Sequence, residues 1–333
     1  MQLPRRRFLH LIAGTAVLAG GVTPDSEAWS QAQTIKIIAP SAPAGVNDIL
    51  SRLLADEVTR TYGVTAVVEN RAGAGEVIGT ESVARAPADG NTVLFAANPF
   101  VINPSLRKVN YDPLASFEPI CLLATAPTLI VVNSTSPYRT LAEYLDAARA
   151  NPGTITLGSI GPGSPYHLGF EQLKLVAKVD MTFVPFPGNG PAVNALLGGH
   201  LTSMFGTYSN VAPLLKSGQL RAIATGTRTR TEMLPQLPTV AESGFPNYEV
   251  TAWFGTFAPA KTPKDRITQL AGWFTAAMQV PEVKAKLDAQ GLVPGGLCGT
   301  DFATYLRSQV DDYARIIREA YIKAAVNEAP DIP

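Results

Sequence analysis

The 333-residue sequence is poor in the side chains that most catalytic and metal sites need. It has three histidines and two cysteines, and these do not fall in a spacing typical of zinc ligands. Neither the G-x-S-x-G pattern of a nucleophile elbow nor the G-x-x-x-x-G-K-[ST] pattern of a phosphate-binding loop is present. An α/β hydrolase or dehydrogenase is therefore a remote alternative, and we expect no metal and no cofactor.

Charge is equally scarce. Only 16% of the residues are charged, and 27 basic residues balance 27 acidic ones, so the formal net charge is zero. No basic patch is interleaved with aromatic residues, and nucleic acid is therefore not an expected partner. The length and the hydrophobic fraction of 46% suit one large or two ordinary domains.

The first 32 residues have the pattern of an export signal. Arg5, Arg6 and Arg7 precede an apolar run, residues 11–21, which is too short to cross a membrane. The order R-R-x-F-L resembles a twin-arginine signal, with an ordinary secretory signal as the alternative. Cleavage before Gln33 would release a periplasmic mature protein.

Two cysteines, Cys121 and Cys298, remain in the predicted mature chain. A disulfide between them would be stable in an oxidising compartment. Their spacing alone does not decide whether they pair, and Cys121 also suits a small buried side chain within an apolar run.

The stretch IKIIAPSAPAGVNDILSRLL, residues 35–54, predicts a buried strand that turns tightly into a helix. Free backbone N–H groups and the helix dipole make such a junction a potential anion site. We expect Asp48, near the helix start, to cap the helix and complement its dipole. The candidate ligand contacts of this first loop are Ser41, Ala42, Ala44, Gly45, Asn47 and Asp48.

The strand–loop–helix pattern recurs further along the chain. Ser164 is the predicted N-cap of one of these helices, because Pro165 fits its first position. Glycines in residues 70–75 are spaced one residue too widely for a dinucleotide fingerprint, so we interpret that segment as a structural loop. The candidate ligand contacts at the other junctions are Asn98, Ser159, Gly163, Ser164, His167, Gly188, Asn189, Gly190 and Thr207.

An apolar run over residues 120–132 exceeds one ordinary strand and contains Pro127. We therefore expect two strands that meet at a crossover, with a return crossing over residues 250–259. The predicted domains are residues 33–132 together with 253–333, and residues 133–252. The fold class is α/β, with two α/β domains that surround a ligand cleft and are joined by two crossover segments.

Several segments resemble the Bug/TctC family of extracytoplasmic solute receptors. They run along essentially the whole predicted mature chain and include APSAPAGVNDILSRLLADEV, VENRAGAGEVIGTESVARAPADGNTVLF, YDPLASFEPI, GSIGPGSPYHL, FPGNGPAVNALLGGHLTSMF and LPTVAESGFPNYEVTAWFGTFAPAKTP. The resemblance implies a type II periplasmic-binding fold whose cleft closes on a small carboxylate-containing ligand. It also implies a monomer without catalysis, which delivers the ligand to subunits of a tripartite tricarboxylate-type membrane transporter. A ligand-sensing partner of a sensor kinase is the alternative.

The resemblance assigns roles to individual residues. Asp48 is expected to order the first loop, Ser164 and His167 to hydrogen-bond the far side of the ligand, and the hinge to lie near Val132 and Ala252. The first loop departs from the family pattern. The family usually has a glycine pair where this chain has Ala44-Gly45, and a large residue where it has Ser41-Ala42. The resemblance therefore implies that ligand choice differs from that of the relatives.

Overall fold

The computed structural model describes residues 34–322, so the predicted export signal lies outside the described residues. Strands and helices alternate along most of this range, as the sequence pattern predicts. The strands are β1 (Thr34–Ala39), β2 (Thr65–Asn70), β3 (Thr92–Ala97), β4 (Phe117–Asn133), β5 (Thr156–Ile160), β6 (Thr182–Phe186), β7 (Ser203–Thr207), β8 (Leu220–Thr225), β9 (Thr251–Pro259) and β10 (Val293–Pro294). The helices are α1 (Val46–Tyr62), α2 (Val77–Ala84), α3 (Pro99–Leu106), α4 (Leu141–Ala150), α5 (Pro165–Ala177), α6 (Asn189–Leu197), α7 (Tyr208–Lys216), α8 (Lys264–Gln279), α9 (Pro281–Ala289) and α10 (Gly299–Glu319).

The strands of the described range form one continuous sheet in the order β2-β1-β3-β9-β4-β7-β5-β6, and β8 and β10 also pair with β4. In the first half, β1 is parallel to β2 and β3. In the second half, β5 is parallel to β6 and β7. Strands β4 and β9 are antiparallel to their neighbours and connect the two halves. The fold is therefore α/β with two parallel-sheet halves.

Strand β4 corrects the expectation of two separate strands. It is one strand of 17 residues that serves both halves of the sheet. Its pairing with β9 ends at Pro127, opposite Thr251, and its pairing with β7 begins at Thr128. Proline has no N–H to donate, so the ladder changes partner at a position where one hydrogen bond is already missing.

Three apolar clusters hold these elements together. The largest runs from Ile37 and Leu54 in the first half to Leu157 and Phe205 in the second. A second cluster packs α10, through Phe302 and other apolar side chains, against the first half. The third lies under α6 and α7. The continuous core explains why the two halves fold as one compact body.

Cys121 of β4 and Cys298, the residue before α10, form a disulfide. Cys121 is completely buried. The bond joins positions 177 residues apart in the sequence. It therefore fixes the start of the last described helix to the strand that links the two halves.

Local helix signals predict most boundaries. Ser164 is confirmed as the N-cap of α5, and a capping box between Thr140 and Glu143 begins α4. Helix α6 begins at Asn189, two residues before Pro191, so the candidate ligand contacts Asn189 and Gly190 lie in its first turn. Helix α3 follows β3 directly where the sequence predicts only a turn, because Pro99 occupies the first helical position.

Candidate functional site

The register of the sheet brings the strand ends of the two halves toward each other. Ala97 at the end of β3 lies opposite Phe254, which lies opposite Ala124 of β4. Thr207 at the end of β7 lies opposite Thr128 of β4. Because β3 and β7 run in opposite directions, with β9 and β4 between them, their C-terminal ends are offset along the strand direction by four residues, or roughly 13 Å. Ligands of open α/β sheets bind at such carboxyl ends.

The first loop connects β1 to α1 at this convergence. Asp48 Oδ2 accepts a hydrogen bond from the Ala44 backbone N–H at 2.9 Å, and Asn70 Nδ2 donates to the Ser41 carbonyl at 3.2 Å. Ala44 has a φ angle of 65°, a left-handed conformation that few residues other than glycine adopt. The loop is thus held in shape by side chains of α1 and β2.

The charge of Asp48 is compensated within its own helix. Arg52 Nη2 lies 2.9 Å from Asp48 Oδ1, and Asp48 is almost completely buried. The hydrogen bond from Arg52, with that from the Ala44 N–H, lowers the pKa of Asp48, although burial opposes the shift. The first loop therefore carries an ion pair and no net charge at neutral pH.

The loop after β5 is closed by its own polar groups. Ser164 Oγ donates to the Ile160 carbonyl at 2.8 Å and accepts from the His167 N–H at 3.2 Å. His167 Nδ1 accepts from the Gly163 N–H at 3.2 Å. These bonds use Ser164 Oγ and one ring nitrogen of His167 to shape the loop. His167 Nε2 is not used in these bonds and lies 3.9 Å from Glu171 Oε1.

His167 is a neutral hydrogen-bond donor. Burial lowers its pKa to about 4, and Lys174 contributes to the shift. Its ring lies 4.4 Å from the Phe183 ring between centroids. Because Nδ1 accepts a hydrogen bond, we assign the ring proton to Nε2. Such a nitrogen donates to a ligand oxygen without adding charge.

The glycines of the second-half loops border open space. A β-carbon built on Gly161, Gly188 or Gly190 would meet no atom within 4 Å. A β-carbon on Gly163 would instead lie 2.9 Å from Cδ1 of Leu106, the last residue of α3. The loop after β5 thus reaches the first half at one point, whereas its neighbours leave room beside it.

Two predicted site residues are occupied by protein partners. Asn98 Nδ2 donates to the Thr251 carbonyl and to the Tyr313 hydroxyl, and Asn98 Oδ1 accepts from the Trp253 N–H. Asn98 therefore anchors β9 at the crossover, and we leave it out of the ligand contacts. Thr207 Oγ1 accepts from Asn210 Nδ2 at 2.7 Å, so it helps to order the start of α7.

Several buried polar atoms near the converging strand ends have no protein partner. Buried polar groups are normally hydrogen-bonded to protein, water or ligand, so each such atom is available to bond an ordered water or a ligand. Three lie around the first loop and three on β4, β5 and β9. They are Ser41 Oγ, Asn47 Oδ1, Glu76 Oε2, Thr128 Oγ1, Ser159 Oγ and Thr251 Oγ1.

Open surface cavities lie elsewhere. One of about 460 Å³ is lined mainly by apolar residues of α7, β8 and residues 233–237, together with Arg221 and Gln236. Another of about 300 Å³ lies between β10 and residues 227–233. Neither contains a predicted site residue. The strand ends are therefore identified as the candidate site by their loops and partnerless polar atoms, and not by cavity size.

Within residues 34–322, no group of three His, Cys, Asp or Glu side chains is arranged to hold a metal ion. In the same range no helix has the length and apolar character needed to span a membrane. The polar groups at the strand ends are hydroxyls, amides, a histidine and carboxyls. They suit the binding of a small polar molecule.

The family model of the tripartite tricarboxylate transporter family receptor, TctC, matches residues 50–322. The chain belongs to this family. A relative in Pseudomonas sp. strain P51, described as a UPF0065 protein in the tcbD-tcbE intergenic region, is 32% identical over 96% of both chains. The family is one of non-enzymatic periplasmic solute receptors, and the α/β sheet with two crossings is its type II binding fold.

Solved structures of the family support this assignment. The periplasmic binding protein BugD is 32% identical, with a TM-score of 0.68 over 87% of this chain and 98% of its own. Rpa4515 of R. palustris, solved with adipate, is 30% identical, with a TM-score of 0.71 over 89% and 99%. MatC of Rhodopseudomonas palustris, solved with malate, is 27% identical, with a TM-score of 0.66 over 85% and 98%.

Sequence reasoning misses Glu76 and Thr128. Glu76 follows the glycines that we interpret as a structural loop, yet its side chain contacts the first loop through Asn47. Thr128 lies inside the apolar run, where the sequence gives no sign that its hydroxyl is unpaired. A non-glycine residue directly after a glycine-rich turn is the one local signal that points to Glu76.

Proposed function

We propose that the protein captures a small carboxylate-containing molecule between the two halves of its sheet. The observation that carries the proposal is the convergence of the β3 and β7 ends on β4, with partnerless buried hydroxyls and amides on both sides. A ligand there would touch loops of both halves at once. Several such contacts are needed, because one helix terminus contributes at most about 2 kcal/mol and micromolar affinity needs about 8 kcal/mol.

Neutral donors favour an acid as the ligand. The first loop offers backbone N–H groups at the start of α1, and the second half offers the N–H groups of α5 and α6 together with His167 Nε2. Helix N-termini attract carboxylates without requiring a basic side chain. The relatives solved with adipate and malate are consistent with a dicarboxylate.

We assign the predicted loop residues to the two sides of this ligand. Ser41, Ala42, Ala44, Gly45 and Asn47 of the first loop would contact one end, with Asp48 holding their loop. The predicted contacts of the second half would surround the other end, and they are Ser159, Gly163, Ser164, His167, Gly188, Asn189, Gly190 and Thr207. The predicted domains, residues 33–132 with 253–333 and residues 133–252, would close by bending at the crossover.

We infer that the mature chain works in the periplasm after removal of residues 1–32, as a monomer. It would hand its ligand to the membrane subunits of a tripartite tricarboxylate-type transporter. Deletion of the gene in the source organism should then abolish uptake of the acid that the protein binds. Unimpaired uptake together with loss of a transcriptional response to that acid would favour sensing instead.

A thermal-shift screen of residues 33–333 tests the binding proposal. Mono-, di- and tricarboxylates and aromatic acids should be compared, with adipate and malate included. We expect at least one acid to raise the melting temperature in a saturable way, because a ligand of the native state stabilises it. Adipamide, which has the chain of adipate without its charges, is the matched control. A panel in which no acid raises the melting temperature would overturn the proposal.

Asp48→Ala tests the location of the site. The substitution removes the acceptor of the Ala44 N–H and leaves Arg52 unpaired, so the first loop loses its shape. The shift produced by the acid identified in the screen should become smaller. An unchanged shift in a variant that still folds would place the ligand elsewhere.

A further inference from the structure

Glu76 has a backbone conformation that its residue type disfavours. Its φ angle is 78° and its ψ angle −4°, in the left-handed region. The preceding residues Ala74 and Gly75 are also left-handed, with φ angles of 48° and 63°. Asn103 Nδ2 holds this turn by donating to the Gly75 carbonyl at 2.7 Å. Strained residues that the surrounding structure enforces are concentrated at functional sites.

The strained turn directs the Glu76 side chain away from its own helix. Glu76 is the N-cap residue of α2, but its carboxyl makes no capping hydrogen bond there. Asn47 Nδ2 donates to Glu76 Oε1 at 3.0 Å instead, and the backbone of Ala97 also interacts with the carboxyl. The carboxyl therefore lies between the start of α1 and the end of β3. In the sheet, β2 lies on one side of β1 and β3 lies on the other, and ligands of open α/β sheets bind where the strand order reverses in this way.

One oxygen of this carboxyl has no partner. Glu76 Oε2 is buried without a hydrogen bond, and so is the neighbouring amide oxygen Asn47 Oδ1. Ser41 Oγ of the first loop is also buried without a hydrogen-bond partner. Partnerless buried polar atoms are costly, and here they come from three segments that meet beside the first loop.

Glu76 holds a proton at neutral pH. Burial raises its pKa to about 8, against the opposing effects of the Asn47 hydrogen bond and of the nearby Ala97 backbone. The charged neighbours on adjacent segments already pair with each other, since Asp48 binds Arg52. A carboxyl that is kept neutral by its surroundings can donate a hydrogen bond, and an O–H donor to a carboxylate makes a short, strong bond.

We propose that Glu76 is a ligand-binding residue, whose protonated carboxyl donates from Oε2 to a carboxylate oxygen of the bound acid. Asn47 orients the carboxyl through Oε1. The proton remains covalently bound to Glu76 Oε2 and forms a hydrogen bond to the ligand oxygen. The inference rests on the proposed function, since it requires an acidic ligand. A neutral O–H donor at this position suits an acceptor oxygen of the ligand on the first-loop side of the site.

Substitutions at Glu76 separate the roles of shape, charge and donor. Glu76→Gln keeps a neutral donor and the acceptor for Asn47, so the dissociation constant for adipate, or for the tightest acid of the screen, should stay within about threefold. Glu76→Gly removes the donor and also relieves the left-handed strain, so the variant should fold and bind that acid at least about tenfold more weakly. Calorimetric titration measures both.

Lys178→Gly is the matched control, because Lys178 has a left-handed φ angle of 53° at the end of α5. It should relieve strain without changing the dissociation constant. Glu76→Gly binding as tightly as the parent, or Glu76→Gln losing as much affinity as Glu76→Gly, would overturn the inference. In either case the parent still binds the acid and the proposed function stands. A parent that binds no acid would overturn both.

Discussion

At the scale of single residues, the first loop and its neighbour Glu76 combine backbone strain with a proposed role in ligand binding. Among the described residues, six other than glycine have positive φ angles, and Ala44 and Glu76 are two of them. Both lie at the C-terminal ends of the first-half strands. Glycine would adopt either conformation without strain, so the chain maintains a side chain at each position at a cost in stability.

Ala44→Gly should raise the free energy of unfolding by about 1 kcal/mol, because glycine adopts a φ angle of 65° without a steric penalty. Urea unfolding followed by circular dichroism measures the change. Ala42→Gly, in the same exposed loop but without a positive φ angle, is the control and should lower stability slightly. A lower free energy of unfolding in Ala44→Gly would show that the left-handed conformation of Ala44 is not strained.

Glu76 should make stability depend on pH in a definite window. Its pKa is raised from 4.5 to about 8, so the native state holds a proton that the unfolded state has released between these values. The stability of the parent should therefore fall, relative to Glu76→Gln, as the pH rises from about 4.5 to about 8, by a few kcal/mol. Below pH 4.5 the difference should be constant.

Other groups around the Glu76 turn titrate outside this window. Burial raises the pKa of Tyr111, and the hydrogen bonds from Arg52 and the Ala44 N–H lower the pKa of Asp48. His167 has a pKa lowered to about 4, so it destabilises parent and variant alike as the pH falls from 6.5. Comparing melting temperatures of the two proteins at each pH cancels these contributions. Parallel curves would show that Glu76 is ionised in the native protein.

At the scale of strands and helices, local patterns predict the strand-to-helix junctions well. The strands before both principal loops and the N-cap Ser164 follow from alternation, glycine and proline positions. The single strand β4 does not, because a change of hydrogen-bonding partner at Pro127 depends on β7 and β9, far away in the sequence. Helix α3 is missed since prolines at positions 99 and 104 indicate a turn when tertiary packing is unknown.

The same distinction applies to the candidate site. The small-residue loops can be found from sequence, because their composition reflects their local conformation. The position of the Glu76 carboxyl cannot, since it depends on Asn47 in α1 and on the end of β3. The partners of Asn98 are likewise distant, at Thr251, Trp253 and Tyr313. Sequence patterns therefore do not show which residues, distant along the chain, become hydrogen-bond partners.

Gly188→Leu tests whether the start of α6 faces the ligand. Gly188 is extended, with a φ angle of −179°, and a β-carbon there meets nothing within 4 Å, so a side chain is tolerated. We expect the melting temperature of the unliganded protein to change little and the affinity for the acid to fall at least about tenfold. Filling the space with apolar atoms blocks the ligand or leaves its polar groups unpaired.

Gly272→Leu provides the control for this substitution. Gly272 lies in α8, and its β-carbon also meets no atom within 4 Å. Leucine there should stabilise the helix modestly and leave binding unchanged. Equal binding by both variants would remove the α6 loop from the site.

At the scale of the whole molecule, the disulfide between Cys121 and Cys298 constrains the described chain most broadly. Reduction should lower the free energy of unfolding by about 2–5 kcal/mol, because it releases a very long loop in the unfolded state. Urea unfolding of the parent with and without a thiol reductant measures the loss. Cys298→Ala should unfold identically in both conditions, and an equally insensitive parent would contradict the prediction.

The single strand β4 limits how the receptor can move. The chain crosses between the two halves within β4 and again beside it at Thr251 of β9, so the connection is a pair of adjacent strand segments. Such a connection would bend easily perpendicular to the sheet. It would resist sliding and torsion, because both would break inter-strand hydrogen bonds on either side of Pro127. Bending would then be the easiest relative motion of the two halves. If the proposed acid bridges the loops of both halves, their fixed offset along β4 would make the length of the acid, and not only its charge, decide whether both ends are held.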